Sequence, residues 1–481
     1  MPLWLHHPIE THPASHLGKV CLFMTAIAFL SASTAFAATL VVSNNEDEGD
    51  GSLRQAINDN NSLGGNNTVV FSDTVAGTIV LTSGELFISA YVTILGPGPR
   101  LLAIDGNGSR RVFHVSGTNN LVKAVISGLT ITNGVGGFGG GVWNDHATLT
   151  LTNCVIAGNR NSGIYNDASV STREANLTLK ACTIVGNTSA GNGGGVYNYG
   201  VGGTAFVSAT ACAFSSNVAS NNGVGGAIFN DGNGGLAGTA LSLCTLSGNS
   251  AGQGGAIWNT GANGSGNLSI SACTFSGNSA NFGGGIFNNG ANGTATLTIN
   301  NTILKSGATG GNIANNGGAI NSFGHNLSSD AAAGFFTNST DRINTDPLLG
   351  PLADNGGLTF THALLPGSPA IDKGVNTGAT TDQRGEPRPF DFAAIANASG
   401  GDGSDIGAFE LGRPNLTIQR STNAVVISWL SNYAAYKLEA TTNLVSPTNW
   451  NTVPGSPLLN GTQFQQTISP AAGTRFYRLK F

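Results

Sequence analysis

Three aspartates recur at one position in this sequence, each directly after an aromatic–Asn pair: Trp143-Asn144-Asp145, Tyr165-Asn166-Asp167 and Phe229-Asn230-Asp231. Carboxylates repeated at a fixed offset are the raw material of an acid/base pair for glycoside cleavage, with His146 and Arg160 nearby in sequence. On adjacent turns of a stacked fold, Asp145 and Asp167 would stand about 5 Å apart, the separation that retaining glycosidases use. The same slot elsewhere holds Tyr199, Thr260 and Asn289, so the simplest reading of Asp there is a turn residue. These three are the candidate catalytic residues, and Glu174 is the one other acid between Ile126 and His325.

The aromatic partners form a longer series: Trp143, Tyr165, Tyr197, Phe229, Trp258 and Phe287 each stand between an Ile or Val and an Asn. If the Ile/Val points inward, alternation sends the rings outward, where they offer a flat stacking surface for sugar rings unless loops cover them. They are the candidate ligand-binding residues. Cysteines at 154, 182, 212, 244 and 273 are separated by 28, 30, 32 and 29 residues. In stacked turns their Cα atoms would lie about 4.8 Å apart, but parallel Cβ vectors suit a disulfide poorly. Five is also odd, so buried free thiols packing as small hydrophobes are expected. Asp372, Asp382, Asp391, Asp402, Asp405 and Glu410, with Arg384 and Arg388, concentrate charge in one stretch. Ion pairs that fix a cap are the default there, and Asp402 and Asp405 are the candidates for a structural calcium ion. No other cofactor is expected.

These residues need elements to position them, and the sequence supplies a repeat. Leu149-Thr-Leu-Thr-Asn-Cys154-Val-Ile-Ala-Gly-Asn159 returns four times, out of phase with Gly141-Val-Trp-Asn144 and its copies. A period of about 30 residues means stacked supersecondary units. The apolar runs are short, β-branched, alternating and bounded by Gly/Asn clusters, which excludes helical repeats. The fold expected is all-β: a right-handed parallel β-helix, a pectin-lyase-like solenoid of about ten coils, with Ile, Val and Leu inward. Asn159, Asn187, Asn217, Asn249 and Asn278 are read as a corner column, tolerating a left-handed bend and bonding to one another. Ser52-Leu-Arg-Gln-Ala-Ile57 reads as a short N-terminal capping helix. After Gly412-Arg413-Pro414, six short alternating runs read as a small antiparallel β-sandwich. The division is a signal peptide at 1–37, β-helix with N-terminal cap at 38–343, C-terminal cap at 344–411, and sandwich at 415–481.

Composition bounds the function. Charged residues are 9% of the 481, against roughly 25% in an average globular protein, and glycine supplies 71. A net charge of −5, with 20 thinly spread basic residues, argues against nucleic-acid binding. Lys19, the apolar Val20-to-Leu30 run and Ala35-Phe36-Ala37 read as a cleaved export signal.

The pairs Gly-Gly-Ala-Ile (225–228 and 254–257) and Phe-x-x-Asn (214–217 and 275–278) resemble polymorphic outer membrane protein repeats. Asp346-Pro-Leu-Leu-Gly-Pro-Leu-Ala-Asp-Asn-Gly-Gly357, Leu365-Pro-Gly-Ser-Pro-Ala-Ile-Asp372, Thr381-Asp-Gln-Arg-Gly385 and Asp405-Ile-Gly-Ala-Phe-Glu410 resemble a choice-of-anchor Q domain. Gly51-Ser-Leu-Arg-Gln-Ala-Ile57 is similar to the CSLREA motif, with Gly51 and Gln55 in place of its Cys and Glu. The resemblance implies a bacterial protein exported to the cell surface or outer membrane, and it implies no reaction. The paired-Asp and Gly-His-Gly signatures of pectin-degrading hydrolases are absent. The expectation is a secreted or surface scaffold, monomeric, adhesive or glycan-contacting and non-catalytic, whose partner is an extracellular or cell-wall polysaccharide or a host or cell-surface ligand. The alternative is a polysaccharide lyase or glycoside hydrolase on the same rod.

Overall fold

A computed structural model describes residues 37–117, 122–170, 173–421, 423–433, 436–445, 449–461, 463–469 and 473–480. The expected signal peptide, apart from Ala37, lies outside the described residues.

Each period folds into three strands, where the sequence pattern showed two apolar runs. The run from Leu149 to Asn159 contains two of them, Thr148–Thr152 and Val155–Ala157, because the chain turns at Asn153, whose φ is 47°. Ala181, Ala211, Leu243 and Ala272 repeat that left-handed turn at φ 49–55°. After Asn153 these are Ala and Leu, so the sequence does not punctuate the corner consistently. The third strand is the aromatic one, Val142–Asp145 in this turn.

Like strands pair in parallel and in register along the stack. Among the described residues they form sheets of 11, 10 and 9 strands, about nine turns carrying all three. The inward residues of successive turns, such as Val142, Leu149, Leu151 and Ile156, are wholly buried and make one continuous core. Each such side chain contributes roughly 1.5–3 kcal/mol relative to exposure.

Two asparagine ladders run through this core. In the corner ladder Asn159, Asn187, Asn217, Asn249 and Asn278 are 0–2% exposed, and each Nδ2 donates to the next Oδ1 at 2.8–3.0 Å. The left-handed bend expected at these asparagines falls instead on the residue before: Gly158, Gly186, Ser216, Gly248 and Gly277. The amide is needed for the ladder, and its neighbour absorbs the turn. A second ladder, not anticipated, links Asn144, Asn166, Asn198, Asn230, Asn259 and Asn288 at 2.6–2.8 Å. The five cysteines form one buried file of free thiols, with the N–H of Cys182 on Cys212 Sγ and that of Cys244 on Cys273 Sγ.

The ends are closed as an open sheet stack requires. At the N-terminal end Ser52 caps helix α1 (Leu53–Ser62), which lays Leu53, Ala56 and Ile57 onto the core. Asp47 pairs with Arg54 at 2.6 Å and accepts from the N–H groups of Thr82 and Ser83. At the other end Ala332 and Phe336 join the solenoid core. Residues 344–411, expected as a C-terminal cap, run along the flank of the second sheet. Thr245 Oγ1 donates to Gln383 Oε1 (2.6 Å), Ser247 meets His362 Nε2 (2.9 Å), and the N–H of Ala408 donates to Thr274 Oγ1 (3.0 Å).

The C-terminal region is a sandwich of two antiparallel sheets. One holds Thr417–Ser421, Ala424–Leu430, Gln463–Ile468 and Leu458–Asn460; the other holds Asn451–Thr452, Lys437–Thr441 and Phe476–Lys480. Leu458–Asn460 is a seventh strand beside the six read from the sequence. Ile427, Trp429 and Leu438 share a core with Ile406, Phe409 and Leu411 of the flanking segment.

Candidate functional site

The third sheet carries the predicted side chains on its outer face. Parallel register places Phe87, His114, Trp143, Tyr165, Tyr197, Phe229, Trp258 and Phe287 in one file, preceded in each strand by a buried residue, Leu86 and Phe113 in the first two and Ile or Val in the rest. Neighbouring rings touch: His114 stacks on Trp143 at 4.1 Å, Tyr165 lies 4.8 Å from Tyr197, Tyr197 4.7 Å from Phe229, and Trp258 stacks on Phe287 at 4.3 Å. The rings face out of the core but are partly covered. Tyr165 and Phe229 are 6% and 5% exposed, whereas Trp143, Tyr197, Trp258 and Phe287 are half-buried. Phe138, 47% exposed, leans on both Trp143 and Tyr165.

Two residues further along each strand lies a polar file: Ser116, Asp145, Asp167, Tyr199, Asp231, Thr260 and Asn289. Asp145 and Asp167 are register partners, but their carboxylates serve different neighbours. Asp145 accepts from Ser116 Oγ at 2.8 Å, contacts His114 Nε2 at 3.4 Å and is bonded to His146 Nδ1. Asp167 accepts from Trp143 Nε1 at 3.3 Å and from the N–H of Ser169. Asp231, two turns beyond Asp167, accepts from Tyr197 Oη at 3.1 Å.

The N-terminal end of this face holds a charge chain that sequence reasoning missed. Glu85 pairs with Arg111 and with His114 Nδ1 (2.7 Å); His114 passes the link to Asp145, and the Arg111 guanidinium lies 4.7 Å from the centre of the Trp143 ring. Burial pushes the Asp145 carboxyl up, but hydrogen bonds from His114, His146 and Ser116 outweigh it and hold the group well below the usual carboxylate range. Burial opposes charge on His114, yet its bonds to Asp145 and Glu85 raise its pKa. Burial raises that of Asp231, only partly offset by the Asn233 N–H and by Tyr197. Tyr165 and Tyr197 titrate far above the ordinary phenol value through burial and their anionic neighbours. The clue was available: Arg111-Val-Phe-His-Val reads as an earlier coil, and extending the repeat register through it puts His114 in the aromatic slot.

The charged residues at 372–410 are tied into the flanking segment. Asp405 accepts from the N–H groups of Asp372 and Leu411, and Glu410 from those of Phe390 and Asp405. Arg388 donates to the carbonyls of Gly407 and Asp405, and Arg384 pairs with Asp382 at 2.8 Å while lying over Phe409. Asp402 accepts from the N–H groups of Asn376 and Ser404. Among the described residues no group of three or more His, Cys, Asp or Glu side chains is placed to hold a metal ion.

No known family profile matches this chain, and no curated protein matches it. Among solved structures, the Agl-KA catalytic domain is similar at 13% identity over 56% of this chain, with a TM-score of 0.26. The match spans 64% of that domain, less than two thirds of its length. A likeness this slight has no bearing on activity. What the fold defines is a parallel β-solenoid with an antiparallel C-terminal sandwich.

Proposed function

We propose that this protein is an exported, surface-associated scaffold whose aromatic face contacts an extended polysaccharide without cleaving it. The observation that carries the reading is the single outward file from Phe87 to Phe287 along the third sheet. The half-buried rings of Trp143, Tyr197, Trp258 and Phe287 leave faces on which sugar rings of a linear glycan can stack at intervals along the solenoid axis, with the covered Tyr165 and Phe229 between them. The carboxylates beside it are engaged by internal donors, which supports binding over turnover. Export is supported by the Lys19-to-Ala37 leader pattern, and surface attachment by the resemblance of the 346–410 segment to choice-of-anchor Q domains. Affinity electrophoresis in gels containing neutral polysaccharides tests the reading. Retardation should be lost in the Trp143→Ala, Trp258→Ala double variant; unchanged retardation in a folded variant would refute it.

A second reading, cleavage of the same glycan, is favoured by Asp231, a buried carboxylate whose raised pKa suits a general acid. Release of reducing ends or unsaturated products, abolished by Asp231→Asn, would establish it.

A further inference from the structure

Charge divides sharply along this chain. From Arg413 onward there are six basic residues, Arg413, Arg420, Lys437, Arg475, Arg478 and Lys480, against the single acid Glu439, a net charge of +5. The preceding 412 residues hold 14 basic and 24 acidic residues, net −10. A 69-residue module of opposite sign to its own chain is an electrostatic footprint for a polyanion.

The structure gathers these cations. A cleft of about 760 Å³ is lined by Asn443, Asn449, Asn451, Thr452, Ser469 and Arg475, and a second of about 340 Å³ shares Ser469 and Arg475 with it and adds Arg420 and Tyr477. A third, sharing Tyr477, brings in Arg413 and Arg478. Shared lining residues link the three as one groove that carries Arg413, Arg420, Arg475 and Arg478; residues 390–393, Asp391 among them, wall its far end, and Lys437 and Lys480 line none of the three clefts. Arg413, Arg420, Lys437, Arg475 and Lys480 are exposed, and among the described residues only Arg478 of the six cations has a carboxylate partner, Glu439 at 2.7 Å. Lys437 and Lys480 are directly opposite on paired strands, an arrangement that repels until an anion lies across it.

We propose that this groove binds an acidic polysaccharide, a linear glycan carrying carboxylate groups. The arginines supply forked donors matched to carboxylates, and the amides and hydroxyls of the larger cleft match sugar hydroxyls. The site goes beyond the aromatic-face reading and does not depend on it.

The test is affinity electrophoresis of the full chain in gels containing polygalacturonate. The protein should be retarded, the retardation should fade with added salt, and Arg420→Gln with Arg475→Gln should weaken binding by about tenfold or more. Trp143→Ala with Trp258→Ala should leave polygalacturonate binding intact, so failure of the aromatic face and failure of this groove are read separately. Far-ultraviolet circular dichroism certifies folding, and Arg475→Lys, which keeps the charge but loses the fork, should fall between. Retardation unchanged by the double Gln variant, or binding to RNA or to anionic lipid vesicles equal to that on polygalacturonate, overturns the proposal.

Discussion

The corner asparagine ladder gives the sharpest prediction. Asn217 is fully buried; its Nδ2 donates to Ile184 O and Asn249 Oδ1, both at 2.9 Å, and its Oδ1 accepts from the backbone N–H and the Nδ2 of Asn187 at 3.1 and 3.0 Å. Asn217→Ala removes four hydrogen bonds at once. Asn187 Nδ2 keeps Ile156 O, but the Asn187 N–H is left bare in the core. An ordinary hydrogen bond contributes about 0.5–1.5 kcal/mol net, and a stranded buried donor costs about 1–3 kcal/mol, so the loss should be about 3–5 kcal/mol. Urea unfolding followed by circular dichroism measures it, with Asn176→Ala, on the outer face of the first sheet, as control within about 0.5 kcal/mol. A loss below about 1 kcal/mol for Asn217→Ala would falsify the argument that the ladder, rather than the aliphatic core alone, fixes the register of the turns.

Further outcomes follow from the same geometry. Burial raises the pKa of Asp47, but the N–H groups of Thr82 and Ser83 and the Arg54 guanidinium bring it down to about 2. A carboxylate lowered in the folded state stabilises above its unfolded pKa and loses that stability as pH falls, so up to about 2 kcal/mol should disappear between about pH 4 and pH 2 and be missing in Asp47→Asn. A thiol reagent should label none of the five solenoid cysteines in the native protein and all five in urea, since each is 0–1% exposed; rapid native labelling would contradict the buried file. Gly255→Ala would place a Cβ 2.4 Å from Gly284 O and 2.5 Å from Ser279 O, forcing neighbouring turns apart at about 2–3 kcal/mol. Gly186→Ala, at φ +62° with no heavy atom within 4 Å of the new Cβ, should cost only about 1–2 kcal/mol by thermal melting.

The solenoid was legible because its signal is periodic: alternating Ile/Val/Leu at a spacing of about 30 residues admits one stacking, and the cysteines at 154, 182, 212, 244 and 273 do stand in one file. The third strand was not legible. Its separating corner falls on Asn153 in one turn but on Ala181, Ala211, Leu243 and Ala272 in the next four, residue types that do not advertise a left-handed conformation. The second asparagine ladder was within reach, since Asn144 shares strand parity with the inward Val142, yet polar residues beside aromatic ones read as surface. The charge chain from Glu85 to Asp145 spans residues 26–31 apart, and such pairings become visible only when register is known. For the 344–411 segment, composition announced the end of the repeat but carried no information about which surface it would cover.

The placement of that segment would govern the response to a force applied through the C-terminal sheets. Thr359, His362, Gln383 and Ala408 are fastened to Ala211, Ser247, Thr245 and Thr274, positions spread over successive rungs. Tension applied through the C-terminal sandwich therefore enters sideways, as shear shared among several rungs, instead of peeling the last rung from the stack one bond at a time. A tether fastened in this way should yield only at forces that break many weak bonds together.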